Sequence, residues 1–208
     1  MLQYSTIEPR TLEVLKELMN IPELKDFYLV GGTALALYYG HRLSIDIDLF
    51  SVADFKAESL LPILEKHFKG FTYSNINNPI GLFGFIDEIK VDFVRYHNYP
   101  VIDAPYIENG IRIACIKDIM AMKIAAILKR GVKKDFWDIA ELLHHYTIEE
   151  LITCYDMKYP NHQLLISIPQ ALTYFADAEE SADPVSLKGQ KWAGVKNYIQ
   201  KKANDYLK

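Results

Sequence analysis

Two aspartates with one residue between them, Asp46 and Asp48 in the run Ile45-Asp46-Ile47-Asp48-Leu49-Phe50, are the side chains best placed to do chemistry. The strand period of two puts both acids on one face and Ile45, Ile47 and Leu49 on the other. Such acids sit roughly 7 Å apart at the backbone and repel each other, and aspartate is a poor strand former. A divalent cation removes the repulsion, and two-metal sites with ions ~4 Å apart fit carboxylates converging from one strand face. Oxygen ligands of this kind suit magnesium, which takes one or two carboxylates and substrate phosphates. Upstream, Gly31-Gly32 ends an apolar run, and the free N–H groups of the helix after it are able to meet a phosphate. GGTALA is neither a G-x-x-x-x-G-K-[ST] loop nor a dinucleotide-binding turn. Taken singly, each feature is also explained by a solvent-facing strand after a tight turn.

The elements that must hold these residues follow from the pattern around them. Phe27 to Val30 predicts a buried strand, Thr33 to Tyr39 a helix capped by Thr33 and stopped by Gly40, and Ile45 to Phe50 the acidic strand. A helix over Thr11 to Asn20 follows Pro9, and a second runs from about Asp54 to Phe68, with Pro62 inside it. Phe71 to Ser74 predicts a short strand, and Leu82 to Ile86 and Lys90 to Tyr96 two more, joined tightly at Asp87-Glu88. Asp92 is the one acid in the interior of that last, largely apolar strand, and by itself it reads as an isolated surface aspartate. Asn109-Gly110 is a strong hairpin signal between Tyr106-Ile107 and Ile111 to Cys115. Beyond Ile116 the periodicity is helical, which predicts an α/β core over residues 1–115 and a helical domain over 116–208.

Lys123 falls inside the apolar stripe of the helix Lys117 to Arg130. Its ammonium either snorkels to water along its own stem or reaches a nucleotide phosphate, with Arg130 on nearly the same face. Asp135 reads as the N-cap of a helix over Phe136 to His145, with Asp138 in its first turn. Thr147-x-x-Glu150 predicts a capping box, and the last helix, Trp192 to Leu207, is locally basic.

The chain has 208 residues, half of them apolar, and a net charge of −4, so a polyanion must be held by a local patch. No segment is long and apolar enough for a membrane span, MLQYSTIEPR lacks a signal region, and Cys115 and Cys154 are isolated. Together they predict a cytoplasmic protein with reduced thiols, independent of any membrane.

Gly31-Gly32 followed by Asp46-x-Asp48 resembles the signature of the polymerase-beta-type nucleotidyltransferase superfamily. More narrowly, GGTALAL with HRLSIDIDLFS looks like the AbiEii/AbiGii nucleotidyltransferase toxins. The resemblance implies an α+β fold, a nucleotidyltransferase-type mixed sheet with flanking helices followed by a C-terminal helical domain. It makes Asp92, in Val91-Asp92-Phe93, a third carboxylate beside Asp46 and Asp48, acting as metal ligand or general base. Lys123, Arg130, Lys134, Asp135 and Asp138 match the family's later pattern, which adds Asp138 to the catalytic set. Gly31, Gly32, Thr33, Arg42, Ser44, Lys123 and Arg130 are implied on the nucleotide. The implied chemistry is transfer of NMP from an NTP to an acceptor hydroxyl with Mg2+, the acceptor being RNA, such as tRNA. A toxin role, and with it a cognate antitoxin, is implied by resemblance alone. The rivals are a nucleotide- or RNA-binding module without turnover, and transfer to a protein side chain.

Overall fold

The computed structural model describes residues 1–208. A single mixed sheet runs through the molecule, formed by β1 (Phe27–Leu29), β2 (Ile47–Ser51), β3 (Phe71–Tyr73), β4 (Gly81–Ile86), β5 (Ile89–Arg95), β6 (Tyr106–Glu108) and β7 (Ile111–Ile113). Its order is β3-β4-β5-β2-β1-β7-β6. β2 lies parallel to β5 and antiparallel to β1, and β1 lies parallel to β7. The helices are α1 (Pro9–Asn20), α2 (Gly31–Tyr39), α3 (Ala57–His67), α4 (Ile116–Lys129), α5 (Lys133–His145), α6 (Ile148–Lys158), α7 (Ile168–Leu172) and α8 (Trp192–Tyr206).

Alternation decides what each face of the central strands does. Ile47 and Leu49 of β2, Val91 and Phe93 of β5 and Leu82 of β4 are all buried and lie in register on one face. Asp48, Phe50, Asp92 and Phe83 therefore share the other face. On the helical side α4 packs against α2, α5 and α6, and α8 against α5 and α6. The apolar core is continuous across residue 115, joining Leu29, Leu35 and Ile113 to Ile119, Ile124 and Leu142. No helix is long and apolar enough to cross a membrane.

Several element boundaries differ from those the sequence predicts. The acidic strand starts at Ile47 rather than Ile45, since the Asp46 carbonyl is engaged by the Thr33 hydroxyl and Ile45 is left exposed. Thr33 consequently does not cap α2, which begins at Gly31 after Val30. Asp135 is not an N-cap either. α5 starts three residues earlier than Phe136, at Lys133, and the Asp135 carboxylate is drawn to the cations of the preceding helix region. The Thr147–Glu150 capping box and the Asn109-Gly110 hairpin form as predicted.

Candidate active site

The site is built on the register of two parallel neighbours, since Asp48 of β2 lies directly opposite Asp92 of β5. Partners in register point to the same side of a sheet, so the two carboxylates face each other across one strand gap. Burial first, and the charge of Asp92 next, push the Asp48 carboxyl above the ordinary aspartate range. Asp92 gives one oxygen to the Lys90 ammonium, and its Oδ1 is buried without a partner. Asp46, at the mouth of the strand, is held by Lys134, with Nζ 3.3 Å from its Oδ2.

Lysines thus anchor the two outer acids while Asp48 has none, and the three carboxylates are not drawn into a closed ligand cluster. An orphaned buried oxygen on Asp92, and a carboxyl on Asp48 raised first by burial and then by its like-charged neighbour, both suit a nearby cation. All the available donors are oxygens. The donor set is of the kind that fits a hard divalent ion, which Asp48 and Asp92 would hold with Asp46 at the rim.

The glycine turn touches this pair directly. Gly31 has φ +71°, and a Cβ there would come within 2.5 Å of Asp48 Oδ2. Only glycine permits both the left-handed backbone and the close approach. Its neighbour Gly32 rests on Arg42, whose Nη2 would lie 2.2 Å from an added Cβ, with Ser44 Oγ at 3.5 Å. The Thr33 hydroxyl lies 2.9 Å from Ser44 Oγ and also contacts the Asp46 carbonyl, tying the start of α2 to the strand entrance. Gly31, Gly32, Thr33, Arg42 and Ser44 are thereby gathered beside Asp46 and Asp48.

Beneath the turn is a buried ionic cluster. Arg42 donates from Nε to Asp138 Oδ1 at 2.7 Å and from Nη2 to Oδ2 at 2.9 Å. His41 Nε2 lies 2.7 Å from the same Oδ1, while His41 Nδ1 is buried and unpartnered. Lys123 Nζ is 2.5 Å from Asp138 Oδ2 and 3.0 Å from Asp135 Oδ1. Burial opposes ionisation of Asp138, but Arg42, Lys123 and the His41 contact outweigh it and hold its carboxyl well below the ordinary range. Burial likewise opposes the Lys123 ammonium, and Asp138 and Asp135 reverse the effect and raise its pKa.

The geometry moves two sequence expectations. Lys123 neither snorkels to water nor projects freely into the cleft. It is spent on two carboxylates, and Arg130, largely exposed, joins it only through Asp135, 3.3 Å from Nε. Asp138 is wholly buried and saturated by cations, so its contact is with Arg42 under the glycine turn rather than with the cleft. Sequence reasoning passed over Lys90 and His41. Lys90 lies two residues before Asp92 and so on its face by strand period, a signal present in the sequence. His41 carried no such signal, because its partner is 97 residues away.

A glycine turn seated against one member of a strand-borne carboxylate pair is what a nucleotidyltransferase needs, and comparison with known proteins places the enzyme in that class. The model of the nucleotidyl transferase AbiEii toxin family, of the type IV toxin-antitoxin system, matches residues 13–81 and 82–198. The chain belongs to this family. It is 35% identical over 206 residues to an uncharacterized protein of Aquifex aeolicus (strain VF5), covering 94% of this chain and 95% of that one. In fold it is similar to MenT4, a nucleotidyltransferase toxin from Mycobacterium tuberculosis H37Rv, with a TM-score of 0.59 and 14% identity, covering 93% and 82% of the two chains. It is also similar to JHP933 from Helicobacter pylori, with a TM-score of 0.56 and 18% identity over 95% and 92%.

Proposed function

We propose that the enzyme moves NMP from an NTP to an RNA hydroxyl in a magnesium-dependent reaction, and that it does so as the toxin of a toxin-antitoxin pair. The observation that carries this reading is the Asp48–Asp92 register pair with its unsatisfied oxygen, set against the Gly31 turn. Magnesium, when bound, would neutralise charge developing on the transferred phosphate. The N–H groups at the start of α2 face the triphosphate, and Arg42 under Gly32 adds positive charge to that end of the turn. Asp92, once its hold on Lys90 is relaxed, accepts the proton of the attacking hydroxyl. The acceptor oxygen bonds to the α-phosphorus as the bond from that phosphorus to the bridging oxygen breaks, and pyrophosphate carries away the electron pair.

Lys123, Arg130, Asp135 and Asp138 act in this scheme as positioning residues, fixing Arg42 and hence the turn. Residues 1–115 supply the carboxylates, the turn, and His41 and Arg42 of the ionic cluster, and 116–208 supply its Lys123, Asp135 and Asp138. The free thiols Cys115 and Cys154 suit a cytoplasmic site of action, where a cognate antitoxin would meet the toxin. Purified protein incubated with labelled NTPs, magnesium and total RNA tests the proposal. Label should enter RNA, and Asp48→Asn should cut transfer at least ~100-fold, as for loss of a group that stabilises transition-state charge. Label entering protein instead, or an undiminished Asp48→Asn, overturns it.

A further inference from the structure

We infer that the open face of the β4–β5 hairpin is the acceptor subsite, where the terminal bases of a single-stranded RNA stack on Phe83 and Phe85. This inference rests on the RNA-acceptor reading above. Register places Phe83 directly opposite Asp92 and Phe85 directly opposite Lys90. Cross-strand partners share a face with their Cβ atoms about 5 Å apart, so both rings flank the carboxylate that takes the acceptor proton. The rest of β4 is ordinary core: Leu82, Gly84 and Ile86 are buried on the opposite face. Phe83 is half-buried and Phe85 is 48% exposed, so two neighbouring aromatic side chains stand on the open face of the hairpin.

On the neighbouring strand Phe71 and Tyr73 stack on each other, whereas Phe83 and Phe85 have no ring partner. Bases of any identity stack on such platforms, which suits an acceptor recognised at its end. The charge on this face is appropriate as well. Lys90, nearly half exposed, is the cross-strand partner of Phe85 and lies two residues from Asp92, the partner of Phe83, where its ammonium is able to meet the phosphate on the 5′ side of the terminal nucleotide. At the hairpin tip the negative charge of Asp87 is compensated by Arg10.

The test is binding of a fluorescent single-stranded RNA, and of the same RNA with an abasic 3′ end, to the parent, Phe85→Ala and Phe85→Trp. The exposed position lets both variants fold, which melting temperature checks. Phe85→Ala should weaken binding of the intact RNA about tenfold, as expected for the loss of one base–aromatic stack. The abasic RNA should bind the parent with a similar loss, and the two losses should not add, whereas Phe85→Trp should restore affinity. If the parent transfers nucleotide to RNA but Phe85→Ala binds RNA as the parent does, the platform is wrong and the RNA reading stands. If the parent binds no RNA and labels only protein, both fail, and the face belongs to a polypeptide acceptor.

Discussion

Replacing Asp138 by asparagine keeps the shape of the buried cluster and removes the charge that organises it. Arg42 and Lys123 would then remain as buried cations, 3% and 5% exposed, with Lys123 keeping Asp135 and Arg42 left without a carboxylate partner. Breaking a buried ion pair from one side costs about 3–5 kcal/mol, because the partner charge is left uncompensated. A domain of ordinary stability has ~5–15 kcal/mol in total, and at this chain length each kcal/mol moves Tm by about 2–4 °C. Asp138→Asn should therefore lower Tm by roughly 6–20 °C in thermal or urea unfolding at neutral pH. The cost should shrink in an Arg42→Met background, where one stranded cation is already gone, with a coupling energy above ~1 kcal/mol. Acid gives an independent check on the same group. A carboxyl held below its ordinary pKa contributes stability that is complete above about pH 4 and is lost as pH falls toward the depressed value. The parent should consequently lose stability on acidification more steeply than Asp138→Asn. A variant within ~1 kcal/mol of the parent, with no coupling to Arg42 and an unchanged acid slope, would refute the account of Asp138 as a charge anchor.

Asp48 has the opposite linkage, since its folded-state carboxyl is raised. Its penalty is absent below the ordinary aspartate pKa, grows as pH rises through the raised one, and persists above it. In metal-free buffer Asp48→Asn should match the parent near pH 3 and equal or exceed its stability at pH 7. Magnesium should stabilise the parent more than the variant, and identical responses in both melting curves would count against cation binding here. At the β4–β5 turn, Glu88 adopts φ +69° and Asp87 φ +47°, the left-handed region that suits glycine. Glu88→Gly should raise stability by about 0.5–1 kcal/mol, the relief of ~1–2 kcal/mol less the added freedom of glycine in the unfolded chain. Urea unfolding with no gain would show that the turn is not strained.

Much of the site was legible in local sequence because local periodicity fixes it. The period of two set Asp48 on the face opposite Ile47 and Leu49, the glycine pair announced the turn, and Asn109-Gly110 announced its hairpin. Composition placed the long helices, and matching caps such as Thr147 and Glu150 set one of their starts. What the sequence left open depends on who meets whom across the chain. No spacing rule states that Asp48 pairs in register with Asp92, since that follows from β5 lying parallel beside β2. Nor does any local pattern show that Asp138 and Arg42, 96 residues apart, form a bidentate pair, or that Lys123 ends on Asp135 and Asp138. Helix periodicity marks Lys123 as facing inward and is silent on its partner. The partner is settled by the packing of α4 against α2 and α5, where a buried ammonium is tolerated only because two carboxylates are brought to it.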